Sequence, residues 1–110
     1  MTQATIDLAT FQELQAAAGE DFVRELVDTF LEEAPGMLNE LRDALAAGDA
    51  DAFRRNAHSL KSNSQTFGAL PLGAMARELE LKGSAAAVTL AALAQEYANV
   101  QLALTALRDA

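Results

Sequence analysis

Asp51-Ala52-Phe53-Arg54-Arg55-Asn56-Ala57-His58-Ser59-Leu60-Lys61-Ser62-Asn63-Ser64-Gln65-Thr66-Phe67-Gly68 is the stretch on which the reading of this chain turns. Its apolar residues recur at helical spacing. At about 100° per residue, Phe53, Asn56, Leu60 and Phe67 gather on one side, with Ala57 and Ser64 on the flank. Asp51, Arg54, Arg55, Lys61, Ser62 and Gln65 fall within about 60° of His58 on the other side. The spacing predicts an amphipathic helix whose histidine points to solvent among small and basic side chains. A core histidine would sit with Leu60 and Phe53. On helical position alone, a surface histidine without a role fits as well as a working one.

Outward from that helix the same period continues. Ile6 to Ala18 carries Leu8, Phe11 and Leu14 and closes at Gly19. A second helix is expected from about Asp21 to Glu33, with Phe22, Val23, Leu26, Val27 and Phe30 on its stripe. Pro35 either starts a new helix or kinks a long one, since proline is tolerated in a first turn but not in a helix interior. Met37, Leu38, Leu41, Ala44 and Leu45 carry the pattern to Gly48, and Asp49 or Asp51 can cap the histidine helix. Gly68 ends that helix, and Pro71 sits near the start of the next, whose stripe is Leu72, Met75 and Leu79 up to Gly83. Leu90, Leu93, Tyr97, Val100, Leu104 and Leu107 define the last helix. No β-alternation competes. The expectation is one all-α domain over 1–110: an antiparallel four-helix bundle with one or two additional short N-terminal helices.

Composition closes several routes to function. There is no cysteine and only one histidine, so His58 has no paired metal ligand and no thiol stands beside it. The chain is acidic, with 16 Asp+Glu against 8 Lys+Arg and a formal net charge of −8. With aromatics at 5 %, nucleic-acid binding is not expected. Gly83 to Leu107 contains Glu96 as its only charged residue, which raises a membrane span, for which about 20 apolar residues suffice. Gln95, Asn99, Gln101, Thr89 and Thr105 interrupt it, and its leucines keep to one stripe, so a packed bundle helix is expected instead. Met1-Thr2-Gln3 lacks the basic start of a signal peptide, and a cytoplasmic location is the expectation. No glycine-rich phosphate loop is present, so the chain is not expected to phosphorylate itself from ATP.

Charge nevertheless singles out His58. No acidic residue occurs from Ala52 to Arg77, whereas Arg54, Arg55, Lys61 and Arg77 do, a local net of +4. A neutral imidazole nitrogen with cations one turn away suits a phosphoryl group, whose charge approaches about −2. The same patch could merely complement acidic neighbours.

Ala57-His58-Ser59-Leu60-Lys61-Ser62-Asn63-Ser64-Gln65-Thr66-Phe67-Gly68-Ala69 resembles the signature of the histidine-containing phosphotransfer (HPt) family, roughly A-H-x-L-K-G-x-x-x-x-[LF]-G-A. The flanks agree: Phe30-Leu31-Glu32-Glu33-Ala34-Pro35, Leu38-Asn39-Glu40-Leu41, Ala47-Gly48-Asp49 and Arg77-Glu78-Leu79-Glu80. The resemblance spans residues 7 to 108. Ser62 departs from the usual glycine, and a small residue there, stacked one turn from His58, still leaves room for a partner's approach. The dimerisation domain of sensor kinases also presents a bundle histidine, but typically followed by an acidic residue, and Ser59 fills that position here.

The resemblance implies a phosphorelay carrier rather than an enzyme. His58 would accept a phosphoryl group from a receiver-domain aspartate and pass it to another receiver. No cofactor is expected on this chain, and the catalytic Mg2+ would belong to the receiver. Lys61 would offset charge on the incoming group. Glu80, 22 positions after the histidine, would hold the imidazole by its Nδ1, or else pair with Arg77 or Lys82 on its own helix. Arg54, Arg55, Ser62 and Gln65 are candidates for receiver contact. Expected partners are response-regulator receivers and a hybrid or chemotaxis-type histidine kinase, with the chain acting as a monomer. A phosphorylation-independent helical interaction module is the alternative.

Overall fold

A computed structural model describes residues 4–110, so the reading of Met1-Thr2-Gln3 lies outside the described residues. Five helices follow in order: α1 (Leu8–Ala18), α2 (Glu20–Ala47), α3 (Ala50–Thr66), α4 (Leu70–Lys82) and α5 (Ala87–Asp109). No strand occurs among the described residues. The connections between α2, α3, α4 and α5 are two to four residues long, which makes sequence neighbours antiparallel. α2 packs on α3 and α5, and α4 packs on α3 and α5, closing a four-helix bundle. α1 is the single short N-terminal helix and lies against α2 and α3.

The boundaries follow from capping. The Asp7 carboxylate accepts from the Thr10 backbone N–H (3.3 Å) and hydroxyl (2.5 Å), so α1 begins at Leu8 rather than at Ile6. Ile6 and Phe11, on either side of that cap, are both buried, the arrangement of a hydrophobic staple. Of the two candidates at α3, Asp49 is the cap, accepting from the Ala52 N–H at 3.1 Å. Gly48 takes φ 68° to end α2, a left-handed conformation that favours glycine.

Pro35 does not end a helix: α2 runs through it as one 28-residue element. A proline at 35 removes the N–H that would bond the Leu31 carbonyl one turn earlier. The Tyr97 hydroxyl, from α5, donates to that carbonyl at 3.4 Å. Burial raises the Tyr97 phenol above its ordinary pKa of 10.0, so it stays a donor. Its ring packs edge-on against Phe30, centroids 6.1 Å apart. Tyr97→Phe should therefore cost about 0.5–1.5 kcal/mol in urea denaturation. In a Pro35→Ala background, where an amide N–H returns, the same change should cost clearly less. Equal costs in both backgrounds would refute this account of the proline.

The core contains most of the predicted stripes: Val23, Val27, Phe30, Leu38 and Leu41 from α2, Leu72 and Leu79 from α4, and Leu90, Leu93, Tyr97, Val100 and Leu104 from α5; Leu8 and Phe22, read as stripe members, are instead exposed. On α3 the buried residues are Phe53, Ala57, Leu60 and Ser64, whereas Asn56 is half-buried and bonds the Ala52 carbonyl. The core-facing direction of α3 is thus rotated toward the flank that holds Ala57 and Ser64. Ser64 tolerates burial because its hydroxyl donates to the Leu60 carbonyl at 2.6 Å.

Candidate functional site

The site begins with small residues between α3 and α4. Ala57 and Ser64 on α3 and Gly73 and Ala76 on α4 are all buried. A methyl added at Gly73 would lie 3.2 Å from Gln65 Cγ and 3.6 Å from Ser64 Cβ, so glycine there sets how closely the two helices approach. Gly73, Ala76 and Glu80 are spaced i, i+3 and i+7 and share the face of α4 turned to α3. At the other end of α4, Gly68 holds the N-terminal segment. Its carbonyl accepts from the Asp7 N–H at 2.7 Å, and at φ 81° a Cβ there would meet the Asp7 carbonyl oxygen at 2.7 Å. Phe67 before it stacks on Phe30, centroids 5.4 Å apart.

This packing brings Glu80 to two residues of α3. His58 Nδ1 lies 2.5 Å from Glu80 Oε2, and Lys61 Nζ donates to Glu80 Oε1 at 2.6 Å. Side-chain exposure is 58 % for His58 against 20 % for Lys61 and 23 % for Glu80. The imidazole therefore stands at the surface on a half-buried carboxylate–ammonium pair. Glu80 does not pair with Arg77 or Lys82; Lys82 reaches Glu78 instead, at 4.0 Å.

Lys61 above all holds the Glu80 carboxyl below its ordinary 4.5, against the opposing effect of burial and with lesser help from the His58 ring. At neutral pH Glu80 is then a carboxylate and can only accept. The proton between it and His58 must reside on Nδ1, so that in the neutral imidazole the free lone pair is on Nε2. No described residue hydrogen-bonds Nε2. The depressed value also fixes a pH dependence. A group with a lower pKa folded than unfolded stabilises the fold above about 4.5 and loses that contribution as pH falls through the folded value. The stability gap between wild type and Glu80→Gln, measured by urea denaturation, should narrow between pH 6 and pH 3. A gap that stays constant would contradict the pairing.

The other candidates fall into two groups. Arg54 and Arg55 line a shallow open depression together with His58, Ser59 and Glu80. Ser62 is exposed one turn beyond His58, and Gln65 is exposed with its stem against Gly73. The bond from Lys61 to Glu80 is absent from the sequence reading, although positions 58 and 61, one turn apart, face the same neighbouring helix. The contact between Gly83 and Arg54 is a second omission. Gly83 ends α4 at φ 69°, is buried, and a Cβ there would lie 2.6–2.8 Å from the guanidinium of Arg54. Among the described residues, no three His, Cys, Asp or Glu side chains come together as a metal site, and no helix is long and apolar enough to cross a membrane.

The family model "Hpt domain" matches residues 25–110. Among solved structures, the chain is similar to the crystal structure of histidine-containing phosphotransfer protein B (HptB) from Pseudomonas aeruginosa PAO1. The TM-score is 0.89 at 31 % identity, covering 98 % of this chain and 97 % of that one. A search of curated proteins finds no significant match.

Proposed function

The chain belongs to the Hpt domain family, and on that premise we propose that it is a phosphorelay intermediate, loaded and unloaded at His58 by receiver domains. The observation that carries this reading is the imidazole itself, with Nδ1 committed to Glu80 and Nε2 free at an exposed position. In the loading step, Nε2 attacks the phosphorus of a receiver's aspartyl phosphate. The N–P bond forms, the P–O bond to the aspartate breaks, and the receiver keeps the electron pair as a carboxylate. The ring is then an imidazolium that retains its Nδ1 proton, and the Glu80 carboxylate faces the new positive charge. In the return step, a carboxylate oxygen of a second receiver attacks phosphorus and Nε2 leaves with the N–P pair.

Lys61 contributes through the carboxylate that it holds at 2.6 Å, keeping Glu80 ionised and turned toward the ring. Its loss slows transfer without abolishing it. Ser62, Gln65, Arg54 and Arg55 surround the approach and form the receiver's footing. Mg2+ needed for chemistry at the aspartate is supplied by the receiver, and the chain has no autonomous kinase activity. The expected setting is the cytoplasm, with a monomer of one domain working between receivers and a hybrid or chemotaxis-type kinase.

The test follows a label through two receivers. Label from a phosphorylated first receiver should appear on this chain and then on a second receiver, whereas ATP and Mg2+ without receivers should leave the chain unlabelled. Binding of receivers without any movement of label would favour the interaction-module reading. Glu80 has its own test. In nitrogen NMR of this only imidazole, Glu80→Ala should lower the Nδ1–H tautomer, and transfer should slow about tenfold or more, the scale for groups that orient an imidazole. An unchanged tautomer would remove Glu80 from the mechanism.

A further inference from the structure

Phosphorylation of His58 would bring a charge of about −1.5 to −2 to the surface of α3. Resting on that reading of His58 as the acceptor, the question is which cations meet the new oxygens. Lys61, the nearest candidate by sequence, already donates to Glu80 at 2.6 Å and is only 20 % exposed. The two arginines are differently placed. Arg54 is half exposed, and its one ion pair among the described residues, with Asp51 on the preceding turn, is loose at 4.0 Å. Arg55 makes no ion pair among the described residues. Both line the depression that His58, Ser59 and Glu80 complete. On α3 they lie one turn before His58, at i−4 and i−3, within side-chain reach of it.

Arg54 has in addition a seat. Its guanidinium lies against the backbone of Gly83, in space that any Cβ would occupy, with Nη2, Cζ and Nε all within 2.6–2.8 Å of that position. The left-handed φ of 69° by itself favours glycine there as the end of α4, and a Cβ added there would displace the far end of the flexible Arg54 side chain. The planar fork of a guanidinium placed there matches two phosphoryl oxygens at once.

We propose that Arg54, seated on Gly83, and Arg55 bind the oxygens of the phosphoryl group carried on His58 and so set the lifetime of the phosphorylated state. Breaking the N–P bond draws electron density from those oxygens, and donors that hold it there slow the break. The lifetime is therefore longer with the arginines than without them.

Phosphoramidate provides a test that needs no receiver. His58 Nε2 attacks its phosphorus, the P–N bond to the amine breaks, and ammonia leaves. With one histidine in the chain, the acid-labile phosphate can be followed at a single position. In Arg54→Gln the half-life of that phosphate should shorten about two- to fivefold, the range for one charge pair at an exposed site. Arg54→Gln/Arg55→Gln should shorten it further, and Arg54→Lys should fall between wild type and Arg54→Gln. Gly83→Ala, which displaces the guanidinium but keeps its charge, should shorten the half-life less than Arg54→Gln if circular dichroism shows a helical fold; if it unfolds, the arginine series decides. A half-life unchanged in the double variant overturns the proposal, as does a larger loss in Lys61→Met than in that variant. Shortened half-lives in a chain that no receiver can load would uphold the arginine site and sink the relay. A chain that phosphoramidate cannot phosphorylate sinks both.

Discussion

His58→Gln takes up no label from any phosphorylated receiver, while its melting temperature stays within about 4 °C of wild type, as for an exposed substitution. Two features make the loss complete and the structural cost small. The imidazole is 58 % exposed and belongs to no core cluster, so little packing is lost. The glutamine amide can still donate to Glu80, so the half-buried carboxylate keeps both partners. An amide has no basic nitrogen to attack phosphorus, and no other histidine or cysteine exists to replace it. Residual label on the variant, stable in base and labile in acid, would mean that the acceptor lies elsewhere.

Phe53→Ala has the largest expected effect on folding. Phe53 is 1 % exposed, among the largest fully buried side chains, and sits in the first half of α3. Truncating a buried phenylalanine removes its transfer free energy and leaves a cavity, about 3–5 kcal/mol together. A domain of this size has roughly 5–15 kcal/mol in total. Urea denaturation should register that loss, and the melting temperature should fall by at least about 12 °C. Below the new transition, molecules that remain folded should still accept label, since Phe53 is in the core and lines no part of the depression beside His58. A loss below about 1 kcal/mol would mean that α3 is not anchored through this residue.

The fold was legible because most of its information is periodic. The stripes of α2, α4 and α5 are written at spacings of three and four, and Gly48, Gly68 and Gly83 mark where α2, α3 and α4 end. Pro35 was ambiguous for a definite reason. Whether a proline breaks a helix depends on what happens to the carbonyl it orphans, and here the answer is a tyrosine 66 residues away. The rotation of α3 by a fraction of a turn was hidden too, because Ser64 looks polar until its hydroxyl is seen bonded to Leu60.

At the site, the outward direction of His58 could be read from the helical period alone. Glu80 could not; its assignment came from the family's spacing, and distance then put it on Nδ1. Lys61 illustrates the limit of charge counting. A cation near the histidine was visible, but its engagement by Glu80 depends on the α3–α4 approach that Gly73 permits. The seat of Arg54 on Gly83 joins residues 29 positions apart, and nothing in either local sequence signals it.

The central claim is that His58 Nε2 carries the phosphoryl group. Its most direct test is transfer from a radiolabelled receiver, followed by assignment of the labelled nitrogen by NMR. Acid-labile, base-stable label is expected, with the N–P bond at Nε2 and the proton still on Nδ1. A bond at Nδ1, an acid-stable label, or no label from any of a broad panel of receivers would contradict it.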